Sequence, residues 1–283
     1  MFRPDPYCTP TAETLCQFGL SGELDQLPGG SQPIFRVGHA VLKRINETSL
    51  ENNHSRHLIQ WIADFTTHLE MRDFRLPQPI ATTNGRWITE DGWTAWTFLD
   101  GQHATPNDIP ECIAGITALH QTLYDIPKHP LMDDNRTPWG QAHQWCWGST
   151  PPAVQPQLQP LVHQLYALRQ PIQSSPPQLI HGDLNPKNIL IAPGQPPGFL
   201  DFSPFSAPTE FALAVFANWI GPRRGDNTVL QQFAHIFNFA QLLIRAALRM
   251  LLVMVVIDDL SYWETSSEKH AAELVIHYVT RTA

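Results

Sequence analysis

Residues 181–202 constrain the fold of this chain more than any other segment of its sequence. The apolar runs at residues 189–191 and 199–202 are typical of short β-strands, and the Pro- and Gly-rich residues between them predict a turn. Antiparallel pairing of the two strands would place Asn188, just before the first, close to Asp201, near the end of the second. The segment therefore predicts a hairpin that gathers polar side chains at one end.

The polar residues of this hairpin have the chemistry of a cation site beside a proton acceptor. Mg²⁺ prefers oxygen ligands and usually takes only one or two from a protein, which suits the amide of Asn188 and the carboxylate of Asp201. Asp183, on the preceding Pro-containing loop, could orient a hydroxyl or amine and accept its proton. Each residue alone could instead be a turn residue that satisfies its own backbone. The order and spacing of all three favour the site.

The motif His181-Gly182-Asp183-x-x-x-x-Asn188, followed by an apolar strand, a turn and Asp201, resembles the signature of the aminoglycoside phosphotransferase / choline kinase-like superfamily. The resemblance implies an α+β, bilobal protein-kinase-like fold with a β-rich N-terminal lobe and a mostly helical C-terminal lobe. It implies use of ATP and Mg²⁺, with Asp183 as the catalytic base and Asn188 and Asp201 as the magnesium ligands. His181 is expected to brace the loop rather than to move protons.

The first hundred residues have the pattern of the β-rich lobe. Strong turn signals occur at Asn84-Gly85 and Asp91-Gly92. The predicted elements are a hairpin of residues 34–37 and 40–45, a helix over residues 55–69, and strands over residues 80–83, 86–90 and 93–98. We predict a nucleotide-binding lobe over residues 1–99 and a catalytic and substrate lobe over residues 100–283.

Lys43 is the candidate phosphate-binding residue of the first lobe. On a strand it shares a face with Val41 and Ile45, which predicts the covered side of the sheet. A buried ammonium needs an anionic partner, and Val41-Leu42-Lys43 resembles the strand of the family that contacts ATP. The alternative is a lysine that extends from a half-exposed strand into solvent.

Two further segments resemble nucleotide-contacting parts of the family. A loop that contains Gly29 and Gly30 is a candidate cover for the phosphates, because glycine allows close approach of the backbone. A plain turn is the alternative there. The backbone around Thr97, Phe98 and Leu99 resembles the hinge that would hold adenine.

One expected part is missing from the pattern. In the kinase fold a helix Glu pairs with the strand lysine, and the predicted helix has Arg56 and His57 at that place. Glu51, Asp64 and Glu70 are possible substitutes. The missing Glu motivates a second hypothesis, in which the protein is a catalytically weak nucleotide-binding module, like a pseudokinase, with a regulatory role.

Beyond Gly101 the pattern becomes helical, with helices predicted over residues 112–123, 158–168, 211–220 and 230–257. His120 is interpreted as a core histidine. The Trp-rich residues 127–157 could line a substrate pocket or could simply pack on the surface. The chain returns to helix within about ten residues of Asp201, which leaves no room for a long activation loop. A small-molecule acceptor is therefore predicted instead of a protein substrate.

Composition and charge narrow the kinds of partner and the cellular location that the sequence predicts. A net charge of −8 disfavours a nucleic-acid partner. The four cysteines have no metal-site or redox spacing and are read as free thiols in a reducing compartment. The longest wholly apolar run, residues 250–257, is far shorter than the roughly 20 residues that span a bilayer. We therefore predict a cytoplasmic protein without a membrane partner; the sequence carries no signal for its oligomeric state.

Overall fold

The computed structural model describes residues 9–28, 33–45, 52–133, 137–258, 260 and 263–282. The chain divides into two compact units, the first formed by Met1–Met71 and Arg75–Asp100 and the second by Arg72–Phe74 and Gly101–Ala283. Strands dominate the first unit and helices the second, so the predicted α+β class is confirmed.

In its described residues the first unit contains two helices and a five-stranded sheet. Its elements are α1 (Ala12–Gln17), β1 (Asp25–Leu27), β2 (Ile34–Val37), β3 (Ala40–Arg44), α2 (Asn52–Thr66), β4 (Pro79–Ile80) and β5 (Trp93–Thr97). The sheet order is β1-β2-β3-β5-β4, and every neighbouring pair is antiparallel. The helix predicted over residues 55–69 is present as α2, displaced toward the N-terminus.

The hairpin predicted across Gly38 is confirmed by the pairing of β2 with β3. Gly38 has a φ of +56°, a left-handed conformation that glycine adopts without steric cost. In the same sheet Leu42 is the cross-strand partner of both Phe35 and Ala95, and these side chains belong to the buried cluster of the unit. The face of β3 that carries Leu42 is therefore the core face.

Lys43 lies on the opposite face of β3, because successive side chains of a strand alternate. Its cross-strand partners are Ile34 and Thr94. The prediction that Lys43 shares a covered face with Val41 and Ile45 holds only at Ile45, which is buried, since Val41 and Lys43 are only partly buried. Leu42, on the other face of β3, is fully buried.

The strands predicted over residues 80–83 and 86–90 are mostly wrong. Within the described range 52–133, only β4 and one isolated bridge to β5 form there. The hydroxyl of Thr82 accepts the N–H of Arg86 (2.9 Å), and that of Thr89 accepts a backbone N–H at the start of β5 (2.8 Å). These side-chain bonds compete with the ladder bonds of a regular strand.

Beside short 3₁₀ segments, the second unit combines eleven α-helices and β-strands in its described residues. They are β6 (Gln102–His103), α3 (Ile109–Thr122), α4 (Pro138–Trp147), α5 (Gln159–Leu168), β7 (Gln178–His181), β8 (Ile189–Ala192), β9 (Gln195–Phe199), β10 (Pro204–Ala207), α6 (Thr209–Ile220), α7 (Phe239–Ile257) and α8 (Ser267–Thr282). The strands form a three-stranded sheet, β6-β8-β9, and a separate antiparallel pair, β7 and β10.

The predicted hairpin exists as β8 and β9, but its second strand lies earlier than the predicted residues 199–202. Strand β9 includes Pro196 and Pro197, which the sequence analysis assigned to the turn. Proline is tolerated there because β9 is an edge strand. The N–H of Leu200 donates to the carbonyl of Asn188 (2.8 Å), so the end of β9 still meets the start of β8.

Helix α7 is central to the second unit and packs against α4, α6 and α8. By length and composition it is apolar enough to cross a membrane, but 67% of its most apolar window is buried within the fold. It is therefore a core helix of this unit. The continuous helix predicted over residues 230–257 is wrong at its start, because a 3₁₀ segment, Thr228–Phe233, comes first and α7 begins only at Phe239.

Candidate active site

His181 ties the loop of residues 182–188, which we call the Asp183 loop, to the chain that follows β9. Its Nε2 donates to the carbonyl of Leu200 (3.0 Å), and its Nδ1 accepts the N–H groups of Asp183 (3.3 Å) and Ser203 (3.2 Å). These bonds require a neutral ring with its proton on Nε2. Burial lowers the pKa of His181 to about 4, although the Asp183 carboxylate raises it in part. The ring braces the loop.

His120 supports the same strand from α3. Its Nε2 accepts the backbone N–H of His181 (3.1 Å). The imidazole is almost completely buried, and burial lowers its pKa to about 3. The ring is a neutral structural group, as interpreted from the sequence.

The Asp183 carboxylate is held by two amide side chains. Asn185 donates its Nδ2 to Oδ1 (3.2 Å), and Asn188 donates its Nδ2 to Oδ2 (3.0 Å) and to the Asp183 carbonyl (3.0 Å). Because the amide nitrogen of Asn188 faces Asp183, its amide oxygen is left for another donor or for a cation. Asp183 remains partly exposed while Asn188 is buried.

Asp201 follows β9 in a left-handed conformation with a φ of +52°. This backbone geometry is uncommon for a residue with a side chain and marks a sharp change of chain direction. Directly after it, the carbonyl of Ser203 accepts the N–H of Gly182 (2.7 Å). Leu200 and Ser203, which flank Asp201, are thus bonded through the backbone to Asn188 and to Gly182 of the Asp183 loop.

Arg249 on α7 is a buried residue of this region that the sequence analysis did not assign to the site. It is 2% exposed, and its Nη2 donates to the carbonyl of Gly182. The guanidinium lies 4.8 Å from the ring centre of Phe205, the ring that also packs directly on Gly182. The available signal was a charged residue inside an apolar helix, where a partner is usually required.

In the first unit, the ammonium group of Lys43 has a perturbed pKa. Burial lowers its pKa from the usual value to about 8. Among the proposed acidic partners, Asp64 accepts bonds from Gln60 (3.1 Å) and Trp87 (2.6 Å), whereas Glu51 lies outside the described residues. Arg56, which occupies the expected acidic position, donates to backbone carbonyls of residues 89 and 90.

The predicted hinge carries two N–H groups that are already engaged within the unit. The N–H of Thr97 donates to Gln78 (2.8 Å), and that of Phe98 donates to His39 (2.7 Å). Leu99 follows β5 and is partly buried. The predicted phosphate-covering residues, Gly29 and Gly30, lie outside the described part of the chain.

The donor set around the Asp183 loop suits a hard cation. It offers a buried amide oxygen from Asn188 beside the carboxylate of Asp183, and Mg²⁺ favours such oxygen ligands. The described residues contain no cluster of three or more His, Cys, Asp or Glu side chains that could hold a metal by themselves. A cation here would need further ligands from water or from a bound phosphate.

Comparison with solved structures identifies relatives that share this fold. Amicoumacin kinase hAmiN has a TM-score of 0.58 at 12% identity and covers 92% of this chain and 88% of its own. Spectinomycin phosphotransferase APH(9)-Ia has a TM-score of 0.54 at 13% identity, covering 94% and 91%. A thermostable mutant of aminoglycoside phosphotransferase APH(4)-Ia has a TM-score of 0.58 at 15% identity, covering 95% and 97%. The predicted protein-kinase-like fold is confirmed.

No curated protein matches the chain. The model of the phosphotransferase enzyme family, APH, matches residues 24–245 and so includes both β3 and the Asp183 loop. The predicted superfamily is confirmed. The chain belongs to the phosphotransferase enzyme family.

Proposed function

We propose that the protein is an ATP- and Mg²⁺-dependent phosphotransferase that acts on a hydroxyl, or an amine, of a small molecule. The observation that carries the proposal is the contact between Asn188 and Asp183. The amide nitrogen of Asn188 holds the carboxylate of Asp183 at 3.0 Å and leaves its own oxygen for a cation. Family membership supports phosphoryl transfer, and the amicoumacin kinase structure contains AMP-PNP and Ca²⁺.

Asp183 acts as the base in this proposal. Its carboxylate accepts the proton of the acceptor hydroxyl as the acceptor oxygen forms a bond to the γ-phosphorus. The bond between that phosphorus and the oxygen bridging to the β-phosphate breaks, and ADP leaves. Bound Mg²⁺ supplies charge neutralisation at the phosphates, and Asn188 and Asp201 are the residues that would hold it.

The residues of the first unit serve the nucleotide. Lys43 contacts the α- and β-phosphates, Gly29 and Gly30 cover them, and the backbone of Thr97, Phe98 and Leu99 meets the adenine. An anionic phosphate would favour the charged form of Lys43, whose pKa burial lowers to about 8. The three described cysteines are free thiols, which agrees with a cytoplasmic location.

Phosphoryl transfer from ATP, measured over a panel of amino sugars, amino alcohols and nucleosides, tests the proposal. With an accepted substrate, Asp183→Asn should lower kcat by about 10²–10⁴-fold, the usual contribution of a positioned base. Asp125→Asn, an exposed carboxylate of the same unit, is the matched control and should keep its activity. Equal rates for the wild type and Asp183→Asn would exclude this residue as the base.

The alternative is a nucleotide-binding module of weak catalytic power with a regulatory role. It is motivated by Arg56, which occupies the position of the expected helix Glu and donates to the backbone carbonyls of residues 89 and 90. Under this alternative, Mg·ATP stabilises the protein against heat, while no acceptor in the panel is phosphorylated. A protein that neither binds Mg·ATP nor transfers phosphate would contradict both functions.

A further inference from the structure

Helix α7 carries two buried arginines one turn apart. Arg245 is 5% exposed and Arg249 is 2% exposed, and their spacing of four residues puts them on the same side of the helix. Within the part of the chain that the structure describes, neither forms an ion pair with a carboxylate. A buried charge without an ionic partner is unfavourable unless something else compensates it.

Arg245 is compensated by neutral oxygens and by the ring of Trp147, whose centre lies 5.3 Å from the guanidinium. Its Nη1 donates to the carbonyl of Gln241 (2.8 Å), and its Nη2 donates to the carbonyl of Gln170 (3.0 Å). Its Nε is buried and has no hydrogen-bond partner among the described residues. A guanidinium has five N–H donors, so Arg245 retains donor capacity for an additional acceptor.

A second arginine increases the local positive charge. Burial, followed by the neighbouring Arg169, lowers the pKa of Arg245 to about 10, which still leaves the guanidinium charged near neutral pH. Arg169 has two buried nitrogen atoms, Nε and Nη1, without partners in the described part of the chain. The region is therefore positive and contains buried N–H donors that have no partner among the described residues.

Arg245 also lines a cavity of about 480 Å³ between α4, β10 and the segment that follows α5. This volume lies within the range of small-molecule sites. The lining includes the hydroxyl residues Ser174 and Ser206 and the indole of Trp147, whose Nε1 is buried without a partner among the described residues. No Asp or Glu occurs among the described residues that line it. Such a lining suits an anion with several oxygen acceptors.

We propose that this cavity binds a small oxyanion, a carboxylate or a phosphate group, through Arg245. One turn further along α7, a distance of about 5.4 Å, Arg249 donates to Gly182, the residue before Asp183. The same helix therefore supports the Asp183 loop and contributes to the cavity. The oxyanion has two possible sources, an acidic group of the acceptor or a separate anionic effector. The first source rests on the proposed function, and the second does not.

The primary test measures binding of inorganic phosphate by thermal unfolding, with chloride at equal ionic strength as the reference. At roughly four to five times Kd, phosphate should raise the Tm of the wild type by about 2–4 °C. Arg245→Gln should lose this rise, while Arg224→Gln, which removes an exposed arginine of the same unit, should keep it. Equal shifts in the wild type and Arg245→Gln would overturn the proposal.

A second variant keeps the test informative if Arg245→Gln does not fold. Ser174→Glu introduces a tethered carboxylate at an exposed lining residue and should abolish the phosphate-dependent rise without a loss of Tm. Gln173→Glu adds the same charge to the neighbouring position, which does not line the cavity, and should respond like the wild type. A full phosphate response in Ser174→Glu would overturn the proposal.

Two further arms distinguish the sources and separate this proposal from the proposed function. Asp183→Asn should keep the phosphate-dependent rise in Tm even if it cannot transfer phosphate. If the acceptor carries the anion, glycerate and glycerol form a pair of acceptors of which only glycerate is acidic. Arg245→Gln should then raise the KM for glycerate at least tenfold. If a separate effector binds, phosphate should change the activity toward a neutral acceptor in the wild type and leave Arg245→Gln unchanged.

Discussion

The Asp183 loop and strand β3 place their functional side chains in different ways. In the loop, the groups that surround Asp183 are hydrogen-bonded to one another, and buried His181 alone makes three bonds to the backbone. On β3, the backbone pairs with both neighbouring strands, and the core contact is made by Leu42 rather than by Lys43. The loop residues stabilise the loop on which they lie. Lys43, in contrast, lies on a strand that is stabilised by its pairing with the neighbouring strands and by Leu42.

This difference predicts how activity and stability are coupled. A substitution in the loop should affect both, because the bonds that orient Asp183 also satisfy buried backbone groups. A substitution at Lys43 should separate the two, because a partly buried ammonium with a lowered pKa costs stability in the free protein. Four measurements test this comparison.

Among the single substitutions, the largest effect is expected for His181→Phe. The ring fits the volume, but the N–H groups of Asp183 and Ser203 and the carbonyl of Leu200 lose their partner. We expect the free energy of unfolding to fall by about 2–5 kcal/mol, and kcat to fall with it. Urea unfolding measures the first quantity. His163→Phe, at an exposed position of α5, is the control and should change stability little.

The free energy of unfolding should depend on pH through three histidines whose pKa values are lowered by burial. Burial lowers the pKa values of His120 and His143 to about 3 and that of His181 to about 4. The unfolded chain, with histidine pKa values near 6.5, binds more protons below that pH, so the free energy of unfolding falls as the pH drops from about 6.5 toward 4. Each histidine contributes up to about 1.4 kcal/mol per pH unit.

Urea unfolding at successive pH values measures this slope. His181→Phe should show a smaller slope than the wild type between pH 6.5 and 5, because one of the three histidines with a lowered pKa is gone. Replacement of exposed His163 with Gln should leave the slope unchanged. A flat wild-type profile across this window would contradict the burial of neutral histidines.

Gly182→Ala should have an intermediate effect. A Cβ at this position would lie 2.2 Å from Cδ2 of Phe205, well inside the contact distance. Because Phe205 also packs against Arg249, relief of the clash displaces several groups, and we expect a loss of about 1–3 kcal/mol. Gly148→Ala, whose Cβ would meet its nearest neighbour at 3.4 Å, is the matched control. Equal stability of the two variants would show that Phe205 moves without cost.

Lys43→Met should give the smallest change in stability, and its sign should be opposite. Removal of the buried charge should raise the free energy of unfolding at pH 7 by about 1 kcal/mol. The wild type should recover this difference as the pH rises from about 8 toward 10.5, because the folded protein loses the Lys43 proton before the unfolded chain does. Denaturant unfolding at pH 7 tests whether Lys43→Met is more stable than the wild type, and the same measurement at pH 9.5 tests whether this difference shrinks.

The same Lys43→Met variant should lose at least about 10²-fold in kcat/KM for ATP, as expected when a charge-stabilising donor is removed. Arg44→Met, at the next residue of β3, is the control and should retain activity. If Lys43→Met destabilises the protein as strongly as His181→Phe, the proposed contrast between β3 and the Asp183 loop is wrong.

Prediction from sequence worked best where spacing within a short segment carries the information. The β2–β3 hairpin followed from alternating residues around Gly38, and the fold class was implied by the family resemblance of the motif at residues 181–201. It failed at Thr82 and Thr89, where side-chain hydrogen bonds accompany the backbone bonds of tight turns, and at α7, which begins after a 3₁₀ segment. Hydropathy and turn propensity contain no information about such side-chain hydrogen bonds.

The sequence by itself determined that Asp183, Asn188 and Asp201 lie on one loop and hairpin, since a chain of about twenty residues with one turn has few ways to pair. Only the tertiary structure decided that the amide of Asn188 faces Asp183, that Lys43 lies opposite the core face, and that Arg245 and Arg249 are buried without a carboxylate partner in the described chain. These features depend on contacts between residues far apart in sequence. Their energies come from burial and hydrogen bonding that no local pattern encodes.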